Sequence, residues 1–207
     1  MPPHCELDGA AEPAGFSAEV AAANNSKKRG RDASSRGRAI IFDFDQTLTK
    51  AQDVLHQGKT VKAEADKVKV FEDMTDDEVV RNFGGKERIG ALRTMLRDLF
   101  ERDVSLIIIS AGYRRALLPH LESVGLATPF FEFDHVWGQE CERLQRVRFN
   151  KSRLITELMH EHGWTYDDVL FVDDSEDHIK KAAPVCQTML VRGNGLSLDE
   201  IQAITNR

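Results

Sequence analysis

The chain has 207 residues, of which 41% are hydrophobic and 30% charged, with a net charge of −6. No stretch approaches the ~18–20 consecutive apolar residues of a membrane helix, and the negative charge argues against a nucleic-acid binder. Three scattered cysteines, Cys5, Cys141 and Cys186, argue against a disulfide framework or a structural zinc site. With no apolar signal-peptide core at the N-terminus, we expect a cytoplasmic protein.

Residues 1–38 differ in composition from the rest of the chain. They are rich in Ala, Gly, Ser and Pro, and Phe16 is their single aromatic residue. Such a segment buries too little apolar surface to offset its ordering entropy, so we predict a disordered tail. Its basic residues all lie late, at Lys27, Lys28, Arg29, Arg31, Arg36 and Arg38. This run is a candidate nuclear-localisation or polyanion-binding patch, with a solvated leader as the simpler alternative.

From residue 39 onward, strand-like and helix-like segments alternate. Apolar runs predict strands at residues 39–42, 105–109, 130–136, 169–172 and 188–191. Amphipathic stripes predict helices over residues 86–101, 113–123 and 151–161. Pro119 should kink or split the second of these helices. The alternation predicts a Rossmann-like three-layer α/β/α fold with a parallel sheet.

Two further helix starts are marked by capping boxes. Thr75 pairs with Glu78, and Ser197 pairs with Glu200, each at the spacing at which the side chains satisfy free backbone N–H groups. The glycine pair at 84–85 predicts the end of the first of these helices.

The first predicted strand ends in two aspartates, Asp43 and Asp45. Side chains alternate along an extended backbone, so residues two apart point to the same side of the chain. Two carboxylates this close repel one another unless a cation or a shared proton relieves the repulsion. Acidic residues also end strands as helix caps or solvated turns, so the pair alone leaves a structural role open.

The fourth predicted strand ends in a second acidic pair, Asp173 and Asp174. Functional sites of parallel sheets lie at the carboxyl ends of the strands, where two acidic strand ends can converge. Oxygen-only clusters of this kind suit Mg²⁺. A structural alternative, compatible with a metal site, is that Asp174 or Ser175 caps the following helix.

Two other segments offer groups that bind anions. Ser110-Ala111-Gly112 follows the second predicted strand, and a hydroxyl before glycine at such a turn presents an O–H and backbone N–H groups. Lys151 begins a predicted helix, where its ammonium opposes the helix dipole, and this local cost makes it a candidate ligand-binding residue. A plain tight turn and a solvated lysine are the structural alternatives.

These four elements, in this order, resemble the four motifs of the haloacid dehalogenase superfamily. The matching residues are Asp43-Phe44-Asp45-Gln46-Thr47, Ser110, Lys151 and Asp173-Asp174. The second acid and the threonine of the first motif resemble the phosphatase branch, since dehalogenase members lack that acid. The resemblance implies a phosphatase domain over residues 39–207. Gln46 departs from the usual pattern at its position, which bears on substrate specificity.

The resemblance also implies a mechanism, the Mg²⁺-dependent hydrolysis of phosphate monoesters through an aspartyl-phosphate. Asp43 is the implied nucleophile, and Asp45 the group that protonates the leaving alcohol and then activates water. The implied metal ligands are Asp43, the backbone carbonyl of Asp45 and the carboxylate of Asp174. Asp173 is then water-bridged to the metal or lies just outside its ligands.

The implied phosphate-binding residues are Ser110, Ala111, Gly112 and Lys151, which would offset charge in the transition state. The phosphorylated substrate is left open between a small molecule and a phosphoprotein, and no membrane or nucleic-acid partner is expected.

Members of this superfamily often insert a cap over the site, and residues 50–85 are predicted to form a flap or a small cap. A lightly covered site resembles members that act on large substrates, whereas a small cap completed by a partner subunit favours a metabolite. His56, Lys59, Lys62 and Arg81 are candidates to contact the leaving group, with ordinary surface positions as the simpler interpretation.

Three hypotheses follow for the function. The first is an Mg²⁺-dependent phosphatase. The second is an interaction or regulatory protein on the same scaffold, directed to the nucleus by the basic run. The third is a phosphotransferase, which would use the same chemistry with a different acceptor.

Overall fold

In the computed structural model of the chain, the described residues are 37–50, 69 and 73–207. The predicted tail lies outside these residues except at positions 37 and 38, and so does most of the predicted flap. The expectations of a disordered tail and of a small cap therefore stay predictions.

A five-stranded, all-parallel sheet runs through the described part of the chain. Its strands are β1 (Ala39–Phe42), β2 (Ser105–Ile109), β3 (Val136–Trp137), β4 (Val169–Asp173) and β5 (Gln187–Leu190). They lie in the order β3-β2-β1-β4-β5. The central strand β1 is buried along its whole length, as expected of a parallel strand covered on both faces.

Helices cover both faces of this sheet. They are α1 (Asp76–Asn82), α2 (Lys86–Glu101), α3 (Arg114–Ser123), α4 (Glu142–Arg146), α5 (Lys151–His162), α6 (Glu176–Ala182) and α7 (Leu198–Thr205). Alternate residues of β1 belong to two separate cores. Ile40 and Phe42 pack with apolar residues of α1, α2, α3 and α7, and Ile41 packs with those of α4, α5 and α6. The predicted three-layer α/β/α architecture is confirmed. None of the described helices is long and apolar enough to span a membrane.

Local signals in the sequence set several helix ends. Both predicted capping boxes form, at Thr75 with Glu78 and at Ser197 with Glu200. Gly84 and Gly85 have φ angles of 83° and 97°, which glycine adopts without a steric penalty, and they separate α1 from α2.

Two predicted elements differ from the structure. The strand predicted at 130–136 is reduced to Val136–Trp137, preceded by a 3₁₀ turn. Phe130 and Phe131 are instead both buried in the core on one side of the sheet, where a strand would have pointed them to opposite faces. Helix α3 continues across Pro119 without a split, and Leu117 and Leu121 on either side of the proline are buried in the core.

The connection between β3 and Lys151 contains the short helix α4, whose Leu144 packs into the same core as Leu154 of α5. Between Ser110 and Lys151 the chain forms α3, a 3₁₀ turn, β3 and α4, which leaves no segment for a large cap there.

Candidate active site

The strand register brings the two predicted acidic pairs together. Phe42 of β1 lies opposite Val172 of β4, and the Asp43 N–H donates to the carbonyl of Val172 over 2.9 Å. One residue further along the register, Asp43 and Asp173 are neighbours on the same face of the sheet. Residues 130 positions apart in the chain therefore share the carboxyl edge of the central strands.

Lys151 links these two aspartates. Its Nζ lies 2.7 Å from Asp43 Oδ1 and 2.7 Å from Asp173 Oδ2. Because Lys151 is the first residue of α5, its ammonium stands at the positive end of a helix dipole, and the two carboxylates offset that cost. All three side chains are nearly or fully buried. The local penalty noted in the sequence thus coincides with a buried ion-pair network.

Asp173 is held from several sides. Besides Lys151, its carboxylate accepts a hydrogen bond from the Ser175 N–H at 2.8 Å, and His178 Nδ1 lies 3.1 Å from Oδ2. Ser175 also caps α6, as the sequence suggested. Asp174, by contrast, is half-buried and lies within reach of the same cluster. The expected division of roles, in which Asp174 rather than Asp173 is the direct metal ligand, stays a prediction.

Three carboxylates converge at this edge, beside the ammonium group of Lys151. Asp43, Asp173 and Asp174 each present an oxygen, and these oxygens lie within 4.8 Å of one another. Burial, with Asp173 adding to it, raises the pKa of Asp43 to about 6 against the opposing charge of Lys151. Burial and the charge of Asp173 also raise the pKa of Asp174. The cluster thus carries excess negative charge that a divalent cation would relieve.

For Asp173 and Lys151, the neighbouring groups stabilise the charged form of the side chain. Burial acts against the ionised form of Asp173, but the His178 hydrogen bond and the Lys151 charge outweigh it and lower the pKa of that carboxyl. Burial likewise acts against the charged form of Lys151, and the two carboxylates outweigh it and raise its pKa. Lys151 and Asp173 therefore form a charged pair at neutral pH.

The predicted phosphate-binding turn follows β2 directly. The Ser110 N–H donates to the Trp137 carbonyl at 2.9 Å, and Ser110 Oγ accepts the Gly112 N–H at 2.9 Å. Since Oγ is the acceptor in that bond, its own O–H remains a donor. Ser110 is buried, whereas Ala111 is exposed. The register places this turn one step beyond Asp43 on the neighbouring strand.

A clamp formed by Gln139 and Glu140 holds this turn and the start of α3, and the sequence does not predict it. After β3, the Gln139 N–H donates to the Gly112 carbonyl at 2.7 Å. The Glu140 carboxylate accepts the N–H groups of Arg114 and Arg115 at 3.1 and 3.3 Å, and so caps the start of α3. Glu140 lies 26 residues beyond Arg114, so no local capping pattern identifies it.

The loop that carries Asp45 has an unusual backbone. Asp45 is extended, with φ −68° and ψ 136°, and Gln46 has a φ of 53°, in the left-handed region. Asp45 is half-buried, and its carboxylate is not part of the three-carboxylate cluster. Its predicted metal contact through the backbone carbonyl and its acid–base role stay predictions.

The remaining candidates lie apart from the cluster or outside the described residues. His56, Lys59 and Lys62 belong to the part of the chain that is not described, and Arg81 is exposed on α1. Cys141 and Cys186 are buried free thiols. Burial raises the pKa of each, to about 12 for Cys186, so neither is a nucleophile at neutral pH.

The chain is similar to known proteins in its structure. No protein-family profile matches the chain, and no curated protein sequence matches it. The HAD domain of the effector protein Lem4 from Legionella pneumophila is similar with a TM-score of 0.54 and 12% identity, over 81% of this chain and 92% of that one.

Two further structures are similar at lower scores. A haloacid dehalogenase-like hydrolase from Streptococcus pneumoniae has a TM-score of 0.44 and 14% identity, over 81% of this chain and 90% of its own. A phospho-aspartyl intermediate analogue of phosphoserine phosphatase has a TM-score of 0.45 and 15% identity, over 82% and 91%. The likeness to the Lem4 domain, together with the five-stranded parallel sheet, shows that this chain has a haloacid dehalogenase-like (HAD) fold.

Proposed function

We propose that the protein is an Mg²⁺-dependent phosphatase that hydrolyses phosphate monoesters through an aspartyl-phosphate on Asp43. The observation that carries the proposal is the buried network in which Lys151 bridges Asp43 and Asp173 beside Asp174. A purely structural sheet edge has no need to gather three carboxylates around one ammonium, since burying charge is costly.

The donor set fits a hard cation. Three carboxylates within 4.8 Å provide only oxygen ligands, and burial together with the charge of Asp173 raises the pKa values of Asp43 and Asp174. Asp43, Asp174 and the backbone carbonyl of Asp45 would hold Mg²⁺, with Asp173 retained by Lys151. When bound, the cation would screen the phosphate from the carboxylates and orient it for in-line attack.

In the first half-reaction, a carboxylate oxygen of Asp43 attacks phosphorus and the bond from phosphorus to the ester oxygen breaks. The departing oxygen takes a proton from Asp45, and the alcohol leaves. Lys151 offers three N–H donors, of which two are used by Asp43 and Asp173, so one remains for a phosphoryl oxygen. Ser110 donates its O–H to another.

In the second half-reaction, water attacks the phosphorus of the aspartyl-phosphate. Asp45, now ionised, takes the proton from that water, and the bond between phosphorus and Asp43 breaks. Inorganic phosphate leaves, Asp43 is again a carboxylate and Asp45 is again protonated. The sum of the two halves is one ester and one water converted to one alcohol and one phosphate.

Release of phosphate from p-nitrophenyl phosphate, with Mg²⁺ and with EDTA, tests the proposal. We expect turnover that requires Mg²⁺ and falls by at least about 10³-fold in Asp43→Asn, because that variant lacks the nucleophile. Asp177→Asn is the matched control, since Asp177 lies near the same edge but is exposed and paired with Lys181. Turnover that is indifferent to EDTA or to Asp43→Asn would refute the proposal.

A screen of sugar phosphates, nucleotides and phosphopeptides would then define the substrate class. Product analysis with added alcohols separates hydrolysis from transfer to an acceptor, which uses the same two half-reactions with an alcohol in place of water.

A further inference from the structure

Arg88, near the start of α2, is a buried arginine whose guanidinium binds backbone rather than acidic side chains. It is 4% exposed. Its Nε donates to the Leu196 carbonyl at 2.7 Å, Nη1 to the carbonyls of Leu48 and Phe83 at 2.7 and 2.8 Å, and Nη2 to that of Thr47 at 3.0 Å. Burial lowers the pKa of Arg88 to about 10, with Glu200 acting against the shift, so the side chain stays charged.

These contacts join three segments that are distant in the chain. Thr47 and Leu48 end the loop that begins at Asp43, Phe83 follows α1, and Leu196 precedes α7. The Leu196 N–H also donates to the Thr47 carbonyl at 3.0 Å. The carboxyl side of the Asp43 loop is therefore held by donors from two other segments at once.

The held peptides lie directly beyond the strained part of the loop. Gln46 adopts a φ of 53°, a conformation that a residue other than glycine keeps only where its surroundings impose it. On the amino side, the Asp43 N–H is fixed to Val172 of β4. On the carboxyl side, Arg88 and Leu196 fix Thr47 and Leu48. Asp45 lies between these two anchors.

We propose that Arg88 is a positioning residue that sets the placement of Asp45 as the proton donor of phosphoryl transfer. This inference rests on the proposed function. It assigns Arg88 a task that apolar packing cannot perform, because only a planar guanidinium presents a fork of donors to carbonyls of three segments at once.

The measurement that isolates this task is the dependence of kcat/KM on the leaving group. In a series of ring-substituted phenyl phosphates, a proton donor matters most for poor leaving groups and least for p-nitrophenolate. Loss of proton donation therefore steepens the decline of kcat/KM with rising leaving-group pKa, whereas a loss of folded protein lowers every substrate equally. Asp45→Asn calibrates the slope expected when the donor is absent.

Arg88→Lys keeps the charge but loses the fork. We expect it to lower kcat/KM about 100-fold for phenyl phosphate and only about tenfold for p-nitrophenyl phosphate, moving the slope toward that of Asp45→Asn. Leu99→Ala is the control for stability, because Leu99 is buried on the same helix three turns away. It should leave the slope at the wild-type value.

Gly195→Ala tests the same contact with Arg88 unchanged. A Cβ at Gly195 would overlap the Thr49 carbonyl and lie 2.9 Å from Arg88 Nη2. Its matched control is Gly193→Ala, where φ is also positive but a Cβ meets nothing within 4 Å. We expect Gly195→Ala to steepen the decline of kcat/KM with leaving-group pKa and Gly193→Ala to leave it unchanged. If Arg88→Lys does not fold, this pair of variants tests the positioning role of Arg88.

The outcomes separate the two proposals. A wild-type protein without phosphatase activity overturns the proposed function. A wild-type enzyme with Asp43-dependent turnover, in which the Arg88 and Gly195 variants keep the wild-type slope, overturns the positioning role alone.

Discussion

The ammonium of Lys151 lies 2.7 Å from a carboxylate oxygen of Asp173, a side chain with no exposed surface. Removing one member of such a pair leaves the other charge buried without its partner, which costs about 3–5 kcal/mol in typical cases. Lys151→Met should therefore lower the free energy of unfolding by about that amount in metal-free protein. It should also abolish phosphatase turnover.

Urea unfolding in EDTA measures the first effect. Lys180→Met is the matched control, because Lys180 forms an exposed i,i+4 pair with Glu176 that is worth at most about 0.5 kcal/mol. Combining Lys151→Met with Asp173→Asn should recover part of the loss, since the buried charge then disappears. Equal losses in the double variant and in Lys151→Met would contradict the ion-pair interpretation.

The sequence was sufficient for four of the five strands and for the acidic edge, and the reason is physical. Buried parallel strands are apolar throughout, so Asp43 and Asp173 stand out where their strands end. Lys151 stands out in the sequence by its unfavourable place at a helix start, and in the structure two carboxylates offset that local cost.

The Arg88 and Glu140 contacts could not be predicted in the same way. Arg88 reaches Leu196, 108 residues away, and it binds a backbone carbonyl, a group that every residue possesses. Glu140 caps a helix that begins 26 residues earlier. Such contacts depend on how loops meet after the sheet has formed, and residue type alone does not specify them.

Asp43 should make the metal-free protein less stable at high pH. Its folded-state pKa of about 6 lies above the ordinary value of 3.8, so the folded state holds this proton more tightly than the unfolded state. The group's contribution to stability is therefore lost as the pH rises from about 4 through about 6. Asp43→Asn should raise the free energy of unfolding by about 3 kcal/mol at pH 8 and leave it nearly unchanged at pH 4.

Thermal unfolding in EDTA across this pH range checks the expectation. Asp177→Asn removes an exposed carboxyl whose pKa is lowered by Lys181, so it should give no gain at pH 8. A destabilised Asp43→Asn protein at pH 8 would mean that the Lys151 bridge outweighs the burial of this carboxylate.

Gly138 is expected to be intolerant of any side chain. A Cβ there would overlap the backbone nitrogen of Arg114, lie 2.6 Å from Glu140 Oε2 and approach the Gly112 carbonyl to 2.9 Å. Gly138→Ala should therefore disturb the Glu140 cap and destabilise the protein by about 1–3 kcal/mol, within the range for overpacking. Gly90→Ala, in the middle of α2 with nothing within 4 Å of the added Cβ, should instead stabilise it by about 0.5–1 kcal/mol.

The two glycine variants have a functional readout as well. Because Gly138 contacts the turn that holds Ser110, Gly138→Ala should raise the inhibition constant of inorganic phosphate, and Gly90→Ala should not. Equal effects of the two substitutions on phosphate affinity would show that the Glu140 clamp does not contribute to phosphate binding.

Mg²⁺ affinity should depend on pH through Asp43, because a protonated carboxyl binds a metal poorly. With a pKa of about 6 in metal-free protein, about nine-tenths of this group is protonated at pH 5, so the dissociation constant for Mg²⁺ should be about tenfold higher there than at pH 8. Asp174, whose pKa is also raised, should steepen the dependence further.

Isothermal titration calorimetry in buffers of different ionisation enthalpy counts the protons released on binding near pH 6. An Mg²⁺ affinity that is equal at pH 5 and pH 8, with no proton released, would show that Asp43 is not a ligand. As a control, Asp177→Asn should leave the dissociation constant and the number of released protons as in the wild-type protein.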